Sequence, residues 1–277
     1  MLIRRSFPLI AAILLFVGLP VTHAQISVQS KLVDDRTVAP GTSYRGTIAI
    51  KNLTDAPQEV KVTPKDYHFT ADGTNSFASP GSHARSNAEW IEFRPRRTTL
   101  PSHGTAEVAY EVSVPSAAVL ADSAGARGTY WSVMMVEPIA RGSAESTLSA
   151  PGDQHAFGVR QVTRFGVQIA THISTPSPPE IAVADASLVD DETGRALSID
   201  LKNVGAAMTR PTLQLEVYNA DGEVALQTNA PESRLYPETS IRHRLPLDEL
   251  PSGRYEALVV VNADGERVIG TQYTLEL

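Results

Sequence analysis

No cysteine occurs anywhere in the 277 residues. That absence excludes disulfides, thiolate metal sites and a lipid anchor on an N-terminal cysteine, so stability must come from buried apolar area. Positive charge is also in deficit: the formal net charge is −7, which argues against a nucleic-acid footprint. Gly-x-Ser-x-Gly and Ser-x-x-Lys are missing, no two histidines stand at His-x-x-x-His spacing, and no glycine-rich phosphate loop is present. These gaps leave neither an enzyme nor a zinc protein any local support, and no cofactor is expected. After residue 24 there is no second long hydrophobic run and no convincing helical stripe.

The N-terminus is read as a cleaved signal peptide over residues 1–24. Arg4 and Arg5 supply positive charge, Phe7 to Leu19 an apolar run, and Thr22-His23-Ala24 a small-residue cleavage pattern. A membrane span needs about 20 apolar residues, so this run is too short to be one. Although Arg4-Arg5-Ser6-Phe7 faintly resembles a twin-arginine signal, the greasy run behind it favours the general secretory route. The expected product is a periplasmic or secreted protein with no stable membrane anchor. Loss of the two arginines takes its charge from −7 to −9.

What is there is period-two alternation. Ala106, Val108, Tyr110, Val112 and Val114 alternate with Glu107, Glu111 and Ser113, broken only by Ala109. The same pattern recurs at Ile48 and Ile50, Val60 and Val62, Leu213 to Val217, and Tyr255 to Val261, with turn formers such as Pro40-Gly41 and Asp221-Gly222 between. Pro115 to Ala126 is alanine-rich and has room for one short helical turn. The fold class is all-β: two tandem immunoglobulin-like sandwiches. Ser174 to Pro179, with three prolines, reads as a stiff linker between a domain at 25–173 and another at 180–277. A short internal repeat agrees, since Leu32-Val33-Asp34-Asp35 returns as Leu188-Val189-Asp190-Asp191 and each copy leads to a Lys-Asn strand end, at Asn52 and Asn203.

Asp34-Asp35 and Asp190-Asp191-Glu192 lack the glycine-spaced loop that wraps calcium and are read as turn acids, so no metal site is assigned. Trp131, in an apolar strand, is read as core, while Trp90 stays open between core and contact surface.

From the Lys51-Asn52 strand end, through Phe93-Arg94-Pro95-Arg96-Arg97 and the strand at 106–114, to Gly128-Thr129-Tyr130 and the apolar strand ending at Val136, residues 26–173 resemble the N-terminal domain of PapD-like periplasmic pilus chaperones. The resemblance implies binding and capping of secreted or pilus-type subunits by strand addition. The donor would be the last strand of this domain, His155 to Ile173, with Phe157, Val159 and Val162 as its apolar contacts. It further implies two basic residues that hold the subunit's terminal carboxylate, Arg36 on the first strand and Arg164 on the donor, with Arg160 in reserve. The partner implied is a pilin-like or other secreted β protein. The competing reading is a cell-surface or extracellular protein-binding module built from the same two sandwiches, without chaperone activity.

Overall fold

The computed structural model describes residues 25–149, 162–175, 177–263 and 267–277. The proposed signal peptide, Phe157, Val159 and Arg160 therefore lie outside the described residues. The described residues are mostly strand with very little helix, so the chain is all-β as its alternation implied.

Ten strands make the leading sandwich: β1 (Ile26–Val28), β2 (Val33–Val38), β3 (Ser43–Asn52), β4 (Gln58–Phe69), β5 (Asn75–Ala78), β6 (Ile91–Arg94), β7 (Arg97–Leu100), β8 (Thr105–Ser113), β9 (Gly128–Ile139) and β10 (Phe165–Ile173). One sheet runs β1-β3-β8-β6; the other runs β2-β10-β9-β4, with β5 and β7 both paired to β4. On β8 the residues Val108, Tyr110 and Val112 are buried, and Ala109, which breaks the alternation, faces solvent. Ile48 and Ile50 of β3 meet Val60 and Val62 of β4, Met134 and Val136 of β9, and Val167 and Ile169 of β10 in one core. The alanine-rich stretch forms one short helix, α1 (Ala117–Ala121), which buries Leu120.

The trailing sandwich holds β11 (Ile181–Asp191), β12 (Gly194–Asn203), β13 (Thr212–Tyr218), β14 (Val224–Asn229), β15 (Ser240–Pro246), β16 (Arg254–Ala263) and β17 (Arg267–Glu276). Its sheets are β11-β12-β15 and β14-β13-β16-β17. Leu197, Ile199 and Leu201 pack with Leu213, Leu215, Val259 and Val261 in a second core.

The repeated Lys-Asn ends do the same work in both domains. Asn52 donates its side-chain amide to the carbonyls of Ala56 and Pro101, each at 2.8 Å, and accepts the Thr54 N–H at 2.9 Å. Asn203 donates to Ala207 and Leu235 at 2.7 and 2.8 Å and accepts the Gly205 N–H at 2.9 Å. Both side chains are fully buried, so each closes a corner that water cannot satisfy.

The two first strands diverge. β11 stays on β12 from Ile181↔Asn203 to Asp191↔Gly194. β1 begins equivalently at Ile26↔Asn52, but the chain leaves β3 after Val28, crosses to the other sheet, and as β2 pairs in parallel with β10 from Val33↔Gln168 to Val38↔Ile173.

Trp131 is buried, although not in the core of its own sandwich. β9 sends Tyr130, Met134 and Val136 inward and Trp131 outward, where its ring stacks on Tyr236 of the trailing domain at 5.0 Å and on His83 at 4.6 Å. Its indole N–H donates to the Tyr67 carbonyl at 2.8 Å. Trp90, the residue left open, is half-buried against the leading core with its ring 4.7 Å from that of Tyr130. Close by, Thr129 donates its N–H to the Ala206 carbonyl at 2.8 Å. Gly128 makes room for that bond, because a Cβ there would lie 2.1 Å from the same oxygen. The domains thus meet through an aromatic stack flanked by a main-chain hydrogen bond. Trp131→Ala is expected to cost about 3–5 kcal/mol, as for other buried tryptophans, and to split calorimetric unfolding into two transitions. A single transition at the parent midpoint would show that Trp131 does not couple the domains.

Candidate functional site

The edge implicated by the sequence is only partly an edge. From Gln168 to Ile173, β10 pairs with β9 on one flank and β2 on the other. Its outward face there is covered as well: the Gln168 side chain accepts from the Tyr236 hydroxyl at 3.1 Å, and Ala170 packs with Trp131 and Tyr236. These six residues cannot join a foreign strand, because their main-chain groups are already used. That corrects the expectation of one continuous donor to Ile173, and the cause is the crossing of the first strand. Only Phe165 to Val167 have β9 on one side and no strand on the other among the described residues.

The expected strand also starts too early. Val162, half-buried, and Arg164 precede β10 and are not in strand conformation. Continuing the ladder with β9 would set Thr163 against Pro138, which has no N–H to give.

The structure does not bring Arg36 and Arg164 together. Arg36 stands opposite Thr171, seven positions along the chain from Arg164, or roughly 23 Å at about 3.3 Å per residue. Each has its own acid: Arg36 pairs with Asp34 at 2.8 Å and Arg164 with Glu137 at 2.7 Å. Arg164 extends the cross-strand row Lys61–Glu137, so it belongs to the surface of the sheet.

What gathers instead is a charged cluster in the cleft between the domains. Asp35 forms a short ion pair with Arg234 and lies 3.3 Å from Arg210 and 3.6 Å from His172 Nε2. Burial pushes the His172 imidazole below its ordinary value, with Asp35 pulling the other way. Burial also lifts the Tyr236 phenol to about 12, helped by Asp35. Asp34 accepts from the Tyr110 hydroxyl at 2.5 Å. A cleft of about 560 Å³ lies here, lined among others by Lys31, Arg36, Tyr110, Val167 and Arg234. Asp34 and Asp35 are thus strand residues with cationic partners, not turn acids; Asp191 ends β11, pairs with Arg244 at 2.8 Å and accepts the Thr193 N–H of the following turn at 2.9 Å. Positions 35, 172, 210 and 234 share no spacing, so no sequence signal could have assembled them.

A second acid governs the segment leading toward β10. Glu59, 1% exposed, accepts from Arg97, from the hydroxyls of Ser146 and Thr147 and from the Thr147 N–H. Lys61 also holds Glu145 at 2.9 Å. Together they latch residues 145–147 onto β4. Among the described residues there is no metal-binding cluster of His, Asp or Glu and no helix long and apolar enough to cross a membrane.

No family model matches the chain, and no curated protein does. Among solved structures it is similar to the class 5 fimbriae chaperone CfaA, at 12% identity over 91% of this chain and 100% of that one, TM-score 0.44. It is also similar to the Pseudomonas aeruginosa chaperone CupB2, at 10% over 90% and 100%, TM-score 0.40. A third is the E. coli chaperone DraB, at 12% over 91% and 98%, TM-score 0.38. At these identities and scores the likeness decides neither partner nor mechanism.

The Ser146 and Thr147 hydroxyls, then Arg97 and the Thr147 N–H, hold the Glu59 carboxyl at about 2 against an ordinary 4.5, with burial opposing them. A carboxyl depressed in this way stabilises the latch fully above pH 4.5, and the contribution is lost as pH falls toward 2. Hydrogen-exchange protection of the Thr147 amide should fall across that window, and in Glu59→Gln it should already be low at neutral pH. Equal protection in parent and variant at pH 7 would contradict the latch.

Proposed function

We propose that this chain is a periplasmic chaperone-like protein that caps secreted or pilus-type β subunits by strand addition. The donor is the segment that enters β10, with Phe157, Val159 and Val162 as its apolar contacts. The observation that carries this reading is the half-open flank of Phe165 to Val167, where β9 occupies one side and β2 has not yet begun. A foreign strand gains affinity there from main-chain hydrogen bonds and specificity from alternate side chains.

The carboxylate anchor is reassigned. Arg36 and Arg234 line one cleft, and guanidinium groups grip a carboxylate through paired hydrogen bonds, so these two form the proposed anchor and Arg164 does not. Arg36 is half-exposed and offers the more accessible donors.

The test is co-purification of the tagged full chain from periplasm. A β-rich subunit should accompany the parent and be lost from the Phe157→Asp, Val159→Asp variant. Arg36→Ala with Arg234→Ala should bind the same subunit roughly tenfold to a hundredfold more weakly, the range for losing hydrogen bonds to a charged group. Circular dichroism should show parent-like folding in both. An unchanged subunit yield from the folded donor variant would overturn the reading.

A further inference from the structure

The trailing sandwich ends in four sheet edges, and three of them are guarded. β11 carries a register shift between Val183 and Asp185 and three acids, Asp185, Asp190 and Asp191. β15 bears Arg242, Arg244 and Pro246. β14 is six residues long, and its pairing is irregular beside Tyr218. Charge, proline and bulges are the usual ways to stop an edge from recruiting another strand.

β17 has no proline and no bulge, and its charged residues stand only at its two ends. It is ten residues long and pairs with β16 without a shift from Arg267↔Ala263 to Glu276↔Arg254. Between its ends, residues 268–275 include no charge and no proline. No described strand lies on its other side. Val268 is 64% exposed, and Ile269 and Tyr273 are only partly covered by the core.

We propose that β17 pairs antiparallel with β17 of a second copy of this chain, about a twofold axis at Thr271, fusing two four-stranded sheets into one. Opposed residues in a continuous sheet share a face, so the axis must pass through a residue rather than between two. At Thr271 it sets Ile269 opposite Tyr273 of the second copy, twice, and Val268 opposite Thr274. These are aromatic and β-branched pairings that stabilise a ladder. An axis at Gln272 would set Val268 opposite Glu276. A parallel pair of the same edge would need an axis along the strands, which would put the two cores on opposite sides of the joined sheet. The inference is independent of the donor reading, since β17 belongs to the other sandwich. An interface of one strand pair is small, so the dimer forms reversibly with concentration.

Sedimentation velocity on residues 25–277, from roughly 1 to 200 µM, tests this, the upper range being suited to a small interface. The mass should rise from one copy toward two. Gly270→Lys with Gln272→Lys places lysine opposite lysine twice and should remain a single copy; a Cβ at Gly270 meets open space and Gln272 is exposed, so the fold should survive. As a second measurement, Thr271→Cys in this cysteine-free chain should oxidise to a covalent dimer, because opposed Cα atoms of either pair type lie within disulfide range. Val224→Cys on β14 should not. A parent that stays a single copy throughout, or a Thr271→Cys chain that cross-links no faster than Val224→Cys, would overturn the proposal.

Discussion

The change of partner by the first strand between Val28 and Val33 is the constraint on which the rest of this structure depends. By crossing from one sheet to the other, the chain makes the C-terminal two-thirds of β10 an interior strand and leaves its start open on one flank. It also carries Asp34, Asp35 and Arg36 into the cleft, where a strand that stayed on β3 would have sent them to the far end of the sheet, as β11 does with Asp190 and Asp191. Where β10 is paired and where it is open follows from the residue at which β2 begins.

The cleft then gains definition from the trailing domain. Trp131 and Tyr236 supply a stacked apolar contact, and Arg234 and Arg210 bring cationic groups to Asp35. Asp35 is three-quarters buried in its side chain, so removing its cations would leave a largely desolvated charge; that cost makes the cluster sensitive to domain orientation. The Arg36 guanidinium beside it remains half-exposed, so of the two arginines lining the cleft it is the more accessible, while Arg234 also ties the domains together through Asp35.

Much of the fold was legible because alternation reports directly which face of a strand is buried. Val108, Tyr110 and Val112 show this; Trp131, read as core from its apolar strand, is buried on the outward face against the other domain, a contact the strand pattern did not carry. The Lys-Asn repeat was legible as a pattern, and the buried corner made by Asn52 and Asn203 supplies its reason. The strand crossing was not legible: Gln29-Ser30-Lys31-Leu32 carries no glycine or proline to mark it. Counting along strands therefore paired Arg36 with Arg164, when the parallel register holds them far apart. The cluster at Asp35 was hidden for a different cause, since its members meet only through the packing of two domains.

Native-state hydrogen exchange along β10 tests the central claim most directly. The account predicts strong protection of the Gln168 to Ile173 amides and markedly faster exchange within Phe165 to Val167, with that difference removed when a subunit binds. Uniform protection from Phe165 to Ile173 in the free protein would mean that the flank is already occupied, and would contradict it.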